Sequence, residues 1–205
     1  MATYYVHKGV GSDSNTGTAF ASLGKANSRV AAGDTVYVRQ GATPYQEILN
    51  INANNTRWLA DAGHQPVIDG KYHDGLSDFN ISDKPAGTYV VMRTVDNMFP
   101  SIARINADGV LIEGFKICNV AGRAMTITGS RNIVRNCWMD FTYTSVCSVN
   151  GGGAPADCAD NLIEDCLITR GSVGVYAPRD VAAFGRPWDM ILATRNSLRT
   201  VFRRF

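Results

Sequence analysis

Apolar residues in this chain come in short alternating bursts, not at the three-to-four-residue spacing of a helix. "YYVHK", "TVYVR", "EILNIN", "RWLAD", "PVIDG", "YVVMRTV", "SIARIN", "VLIEGF", "AMTIT", "NIVRNC", "NLIEDC" and "GVYAP" each read as a brief strand bounded by Gly, Asn, Asp or Ser. The one helical pattern is early. In "FASLGKANSRV", Phe20, Leu23, Ala26 and Val30 fall near one face, so a short amphipathic helix is predicted before "AAGD" ends it. After residue 34 no stretch keeps a helical period. The pattern predicts an all-β protein with a small helical element at its front.

Three phrases say how the strands are arranged. "GVLIEGFKI" (109–117), "RNIVRNCWM" (131–139) and "DNLIEDCLI" (160–168) align residue for residue. Leu111, Ile133 and Leu162 fall together, as do Ile112, Val134 and Ile163, then Phe115, Cys137 and Cys166, then Ile117, Met139 and Ile168. Between the apolar pairs stand Gly114, Asn136 and Asp165, residue types that tolerate a tight bend. Each phrase is therefore strand, corner, strand. A 22-residue repeat carrying an apolar ladder predicts a parallel β-solenoid whose turns stack about 4.8 Å apart. The 29-residue interval between the second and third phrases contains the Gly-rich "VNGGGAPAD", an insertion at a corner. "WDMILATRNSL" (188–198) reads as a fourth phrase with Asn196 at its corner. One β domain over residues 1–205 is expected, with strand, loop and helical cap in 1–33 and coils in 34–205. Solenoids normally cap an open end, and no cap follows the last phrase, so a longer parent chain is expected.

The opening "YYVHKGVGSDSNTGTAFASLGKAN…VAAGDTVYVRQGATPYQEILNI", then "HQPVIDG" and the "NxIxxNCxI" phrases, resemble right-handed parallel β-helix proteins of the pectate-lyase-like superfamily. The likeness runs along nearly the whole chain. It implies a right-handed parallel β-helix with an N-terminal capping helix, an acidic polysaccharide as partner and an extracellular or cell-surface setting. It also implies β-elimination at a uronate, which needs a cation, Ca²⁺ or Arg/Lys, to neutralise the carboxylate, together with a base. The same scaffold serves non-catalytic glycan-binding and phage-fibre modules, so function rests on a site.

Composition narrows the candidates. Net charge is +2, but residues 170–205 hold seven Arg against two Asp. That basic tail is not interleaved with a stacking surface, so no nucleic-acid partner is expected. No run is long enough to span a membrane, and the first residues lack the charged and apolar regions of a signal peptide. Five Cys and three His form no CxxC and no metal-ligand spacing. Cys137 and Cys166 stack in adjacent coils, and buried thiols are favoured there over a disulfide.

Four constellations could carry chemistry. The column Glu113, Arg135, Glu164 reads as a cross-strand charge ladder before it reads as a groove. Asp69, Lys71, His73 and Asp74 in "DGKYHDG" could meet a metal or a sugar acid, although Asp69–Gly70 also serves a turn. On the strands after the corners, Met125 aligns with Val173 and Ile127 with Val175, facing in. Thr126, Thr128 and Tyr176 then face out, flanked by Arg123 and Arg179, which suits sugar stacking and carboxylate binding. Trp188–Asp189 could add an aromatic platform, and "DSNTG" (13–17) reads as a turn rather than a calcium loop.

Overall fold

The computed structural model describes residues 1–14, 19–70, 101–148, 160–169, 173–176 and 197–202, with the backbone alone at 121–122, 141, 143–148, 173–176 and 197–202. It is mostly β, with one five-residue helix, α1 (Leu23–Asn27). The strands are β1 (Thr3–Val6), β2 (Ala19–Phe20), β3 (Thr35–Val38), β4 (Leu49–Ile51), β5 (Arg57–Ala60), β6 (Val67–Asp69) and β7 (Ser101–Ile105). They continue as β8 (Leu111–Glu113), β9 (Lys116–Ile127), β10 (Ile133–Arg135), β11 (Trp138–Ser148), β12 (Leu162–Thr169), β13 (Val173–Tyr176) and β14 (Ser197–Phe202). All fourteen belong to one sheet, and each strand pairing in it is parallel. The sheet does not close on itself: its path runs from β2 to β4, with β6, β13 and β14 as branches.

The registers sort the strands into three stacks. The first holds β1, β3, β5, β8, β10 and the starts of β12 and β14. The second holds β6 and the first halves of β9 and β11, followed by the ends of β12 and β14. The third holds β4, β7, the second halves of β9 and β11, and β13. Leu111, Ile133 and Leu162 are paired neighbours, and so are Ile117, Met139 and Ile168, as the three phrases predict.

Strand alternation sends one row of each stack into a common core. Val36, Trp58, Ile112, Val134 and Ile163 fill it from the first stack, and Ile68, Ile117, Met139 and Ile168 from the second. Leu49, Ile51, Ala103, Ile105, Met125 and Ile127 close it from the third. Each fully buried aliphatic side chain contributes about 1.5–3 kcal/mol relative to exposure. Tyr45, also buried, bridges to Ile68, and its hydroxyl donates to the Arg39 carbonyl (2.7 Å) while accepting from the Lys8 amide (3.1 Å). Its burial pushes the phenol pKa up.

Two series of left-handed residues mark the corners. Gly114 (φ 83°), Asn136 (φ 52°) and Asp165 (φ 51°) turn the chain between the first and second stacks, the bends foreseen for them. Gly33, Asn55, Gly109, Arg131 and Asp160 also have positive φ, each two residues before a strand of the first stack. Between corner and strand runs a buried polar ladder. The Asn132 side-chain carbonyl accepts from the Val110 amide (2.8 Å), and Asn161 does the same for the Asn132 amide (2.9 Å). These side chains satisfy backbone donors at a turn that excludes water.

Helix α1 packs against β1, β2 and β4. Ser22 Oγ accepts from the Lys25 amide (3.1 Å), and the Glu47 carboxylate accepts from the Leu23 and Gly24 amides at 3.1 and 3.0 Å. Those bonds satisfy donors that a helix start leaves open. The helix is shorter than its sequence pattern, because Phe20 pairs as part of β2 instead. Of the fourth phrase, residues 188–196, Asn196 included, lie outside the described residues. Ser197, Leu198 and Arg199 join the first stack, paired with Leu162, Ile163 and Glu164. "YVVMRTV" (89–95) lies outside the described residues. No helix among the described residues is long and apolar enough to cross a membrane.

Candidate functional site

The outer face of the second stack carries the densest chemistry. Its core row, Ile68, Ile117, Met139 and Ile168, fixes the rows on either side as pointing away from the core. One outer row is Val67, Lys116, Trp138 and Leu167, and the other is Asp69, Cys118, Asp140 and Thr169. Lys116 Nζ sits 3.7 Å from the centroid of the Trp138 ring, a cation–π contact between successive strands. Trp138 Nε1 donates to Thr169 Oγ1 (2.9 Å), and Thr169 Oγ1 donates to Asp140 Oδ1 (2.8 Å). Asp140 is 3% exposed and Thr169 6%, so this relay is shielded from water and holds the indole in one orientation. Asn119, in the left-handed conformation after Cys118, donates to Asp69 Oδ1 (3.1 Å).

This arrangement presents a half-buried ammonium and a fixed aromatic side by side. It can receive an anion at Lys116 and an apolar ring edge at Trp138. It does not make a calcium site. Asp69 and Asp140 are separated by the Cys118 rung, about 9–10 Å at sheet spacing, while Ca²⁺ needs oxygens at about 2.3–2.6 Å. Among the described residues no group of three or more His, Cys, Asp or Glu could hold a metal ion.

The residues singled out in the sequence are dispersed. Arg123, Thr126 and Thr128 lie at the end of β9 and just beyond it, on the third stack. Thr126 shares a row with Arg104, Cys147 and Tyr176. The expected register of that stack shifts by two: Met125 and Val175 both pair with Val146, while Val173 and Arg123 both pair with Thr144. Thr126 is buried and hydrogen-bonded to Ser101, not exposed. Thr128 is half-buried and its hydroxyl is 3.2 Å from the Ile105 carbonyl and 3.3 Å from Asn106 Oδ1. Arg179, Lys71, His73, Asp74 and Trp188–Asp189 lie outside the described residues. Asp13 Oδ1 accepts from the Ala21 and Ser22 amides at 2.9 and 3.0 Å, while residues 15–17 of "DSNTG" lie outside the described residues.

In the charged column on the first stack, the Glu113–Arg135 rung of the anticipated ladder is a direct ion pair. Arg135 Nη2 donates to Glu113 Oε2 at 2.7 Å, with their side chains 36% and 30% exposed. That bond holds the Glu113 carboxyl below its usual pKa, against the opposing effect of burial. The contribution to stability is therefore complete above the unfolded-state value of about 4.3 and is lost as pH falls through the lower folded value. At this exposure it amounts to no more than about 1 kcal/mol. In urea melts stepped from pH 6 to pH 3, Glu113→Gln is expected to narrow the acid-side loss of stability relative to the parent protein. An unchanged pH dependence would contradict the pairing.

Lys116, Trp138 and Leu167 occupy the eighth position of the three aligned phrases, so a non-core column was visible in the sequence. The column Glu113, Arg135, Glu164 gives the stronger sequence signal, since charge recurs in every phrase there, whereas the eighth position holds three unlike residue types.

No family model matches the chain, and no curated protein matches it. Among solved structures, a rhamnogalacturonan lyase matches with a TM-score of 0.60 and 16% identity, covering 100% of this chain and 52% of that one. The chain thus spans about half the length of that lyase. At this identity the likeness is one of fold: both contain a large sheet of parallel strands.

Proposed function

We propose that the three stacks are successive faces of a right-handed parallel β-helix of polysaccharide-lyase type, which recognises acidic, uronate-containing glycan on the outer face of its second stack. The observation that carries this reading is the Lys116 ammonium held against the Trp138 ring. Sugar acids offer a carboxylate and an apolar ring edge at close range, and this pair complements both. The rhamnogalacturonan lyase likeness supports a polysaccharide as ligand. Arg123 and Thr128, on the adjoining stack, belong to the same proposal as further contacts, together with Tyr176 and Arg179. In a β-elimination Lys116 would neutralise the uronate carboxylate and so acidify the neighbouring proton. An extracellular or cell-surface setting follows from such a substrate.

The test is a panel of pectin, rhamnogalacturonan, alginate and glycosaminoglycan, read by calorimetric binding and by absorbance of unsaturated uronate. Binding is expected for at least one acidic glycan, with Lys116→Ala and Trp138→Ala each weakening it about tenfold, in line with one charge-assisted or stacking contact. A rise in absorbance would establish the lyase activity. Binding without that rise would make the protein a non-catalytic glycan-binding module. Failure of every acidic glycan to bind would overturn the proposal.

A further inference from the structure

Cys137 and Cys166 occupy the same place in consecutive repeats, each directly after a left-handed corner residue, Asn136 or Asp165. The rungs on both sides fix them as neighbours. Arg135 pairs with Glu164, Trp138 pairs with Leu167, and the Leu167 amide donates to the Cys137 carbonyl at 2.9 Å. Parallel rungs stand about 4.8 Å apart, within the 4.4–6.8 Å Cα separation that a disulfide spans. Both are thiols, 2% exposed, and they lie against each other. Cys137 Sγ reaches the Arg135 carbonyl (3.3 Å), while Cys166 Sγ reaches the Glu164 carbonyl (3.3 Å) and, one turn away, that of Val134 (3.6 Å). The two corner residues beside them are exposed.

We propose that Cys137 and Cys166 form a redox-sensitive staple, closed by a small peroxide into a disulfide that ties two successive turns together. The thiol of Cys166, its pKa drawn down by the adjacent Cys137 thiol, ionises first, whereas Cys137 is held protonated. The Cys166 thiolate attacks a peroxide oxygen, the O–O bond breaks, and hydroxide leaves to become water. Cys166 is then a sulfenic acid. The Cys137 sulfur displaces its hydroxyl, which departs as a second water on taking up the thiol proton. Two thiols and one hydrogen peroxide thus become one disulfide and two waters. The link encloses the 29-residue interval with its Gly-rich insertion, so it limits the freedom of the unfolded chain.

The experiment treats the folded protein with hydrogen peroxide, blocks remaining thiols with an alkylating agent and cleaves before aspartate and after arginine. Cleavage before Asp140, Asp157, Asp160 and Asp165 and after Arg123 puts Cys118, Cys137, Cys147, Cys158 and Cys166 in separate peptides. A Cys137–Cys166 peptide that disappears on reduction is expected, with a thermal midpoint about 5–10 °C higher than that of the reduced protein. Cys137→Ser and Cys166→Ser are expected to lose both the peptide and the shift. Should either variant fail to fold, the peptide map of the parent protein decides alone. Both thiols alkylated after peroxide treatment, Cys137 joined to a different cysteine, or a link that forms only in denaturant would each overturn the proposal.

Discussion

Trp58→Ala is expected to lower the free energy of unfolding by about 3–5 kcal/mol, the cost of emptying a large aromatic site from a core that relaxes only in part. Trp58 is fully buried in the inward row of the first stack, paired with Val36 on one side and Ile112 on the other. Its loss removes contacts on both neighbouring strands at once. Trp58→Phe is expected to cost much less, about 1–2 kcal/mol. The indole Nε1 has no hydrogen-bond partner among the described residues, so phenylalanine also removes a buried donor that the fold does not use. Urea unfolding followed by circular dichroism checks both. Equal losses for the two substitutions would show that Trp58 does not carry the packing assigned to it.

The second large effect is at the corner. Gly114→Ala is expected to cost about 2–4 kcal/mol, from a left-handed backbone and a steric collision together. At φ 83° an added Cβ would lie 2.7 Å from the Ala60 Cβ, with no flexible side chain to give way. Asn136→Gly, at the equivalent place in the next repeat, should stay within about 1 kcal/mol. Glycine relieves the left-handed strain there but removes the 3.2 Å bond from Asn136 Nδ2 to Glu113 Oε1. The same denaturation series reads both. If Gly114→Ala were as mild as Asn136→Gly, the corner could not be the tight junction the backbone indicates.

The three nine-residue phrases made the first two stacks legible to the residue, because apolar identity and the corner types Gly, Asn and Asp repeat together. Ile112, Val134 and Ile163 pair as aligned, and Cys137 and Cys166 are thiols in the core, as favoured. The third stack was harder to read, since its strands follow connections of unequal length. Between Val120 and Arg123 β9 carries one more residue than β11 does between Thr142 and Thr144, and that irregularity defeats alignment by offset. Thr126 then looked exposed by simple alternation, yet it is buried with Ser101. The Trp138–Thr169–Asp140 relay had no local signature, because its members are brought together by stacking across 29 and 31 residues. Tyr45 was hidden for a related reason: a single bridging residue in a loop has no period to betray it.

The corner between the first and second stacks also works as a reading frame. In β8 to β9, in β10 to β11 and within β12, two residues separate the strand positions of the two stacks. The intervals from β6 to β7 and from β11 to β12 are longer. Deleting Asn136 would break the frame: every side chain of β11 beyond the corner would change faces, exposing Met139 and driving Trp138 and Asp140 toward the core.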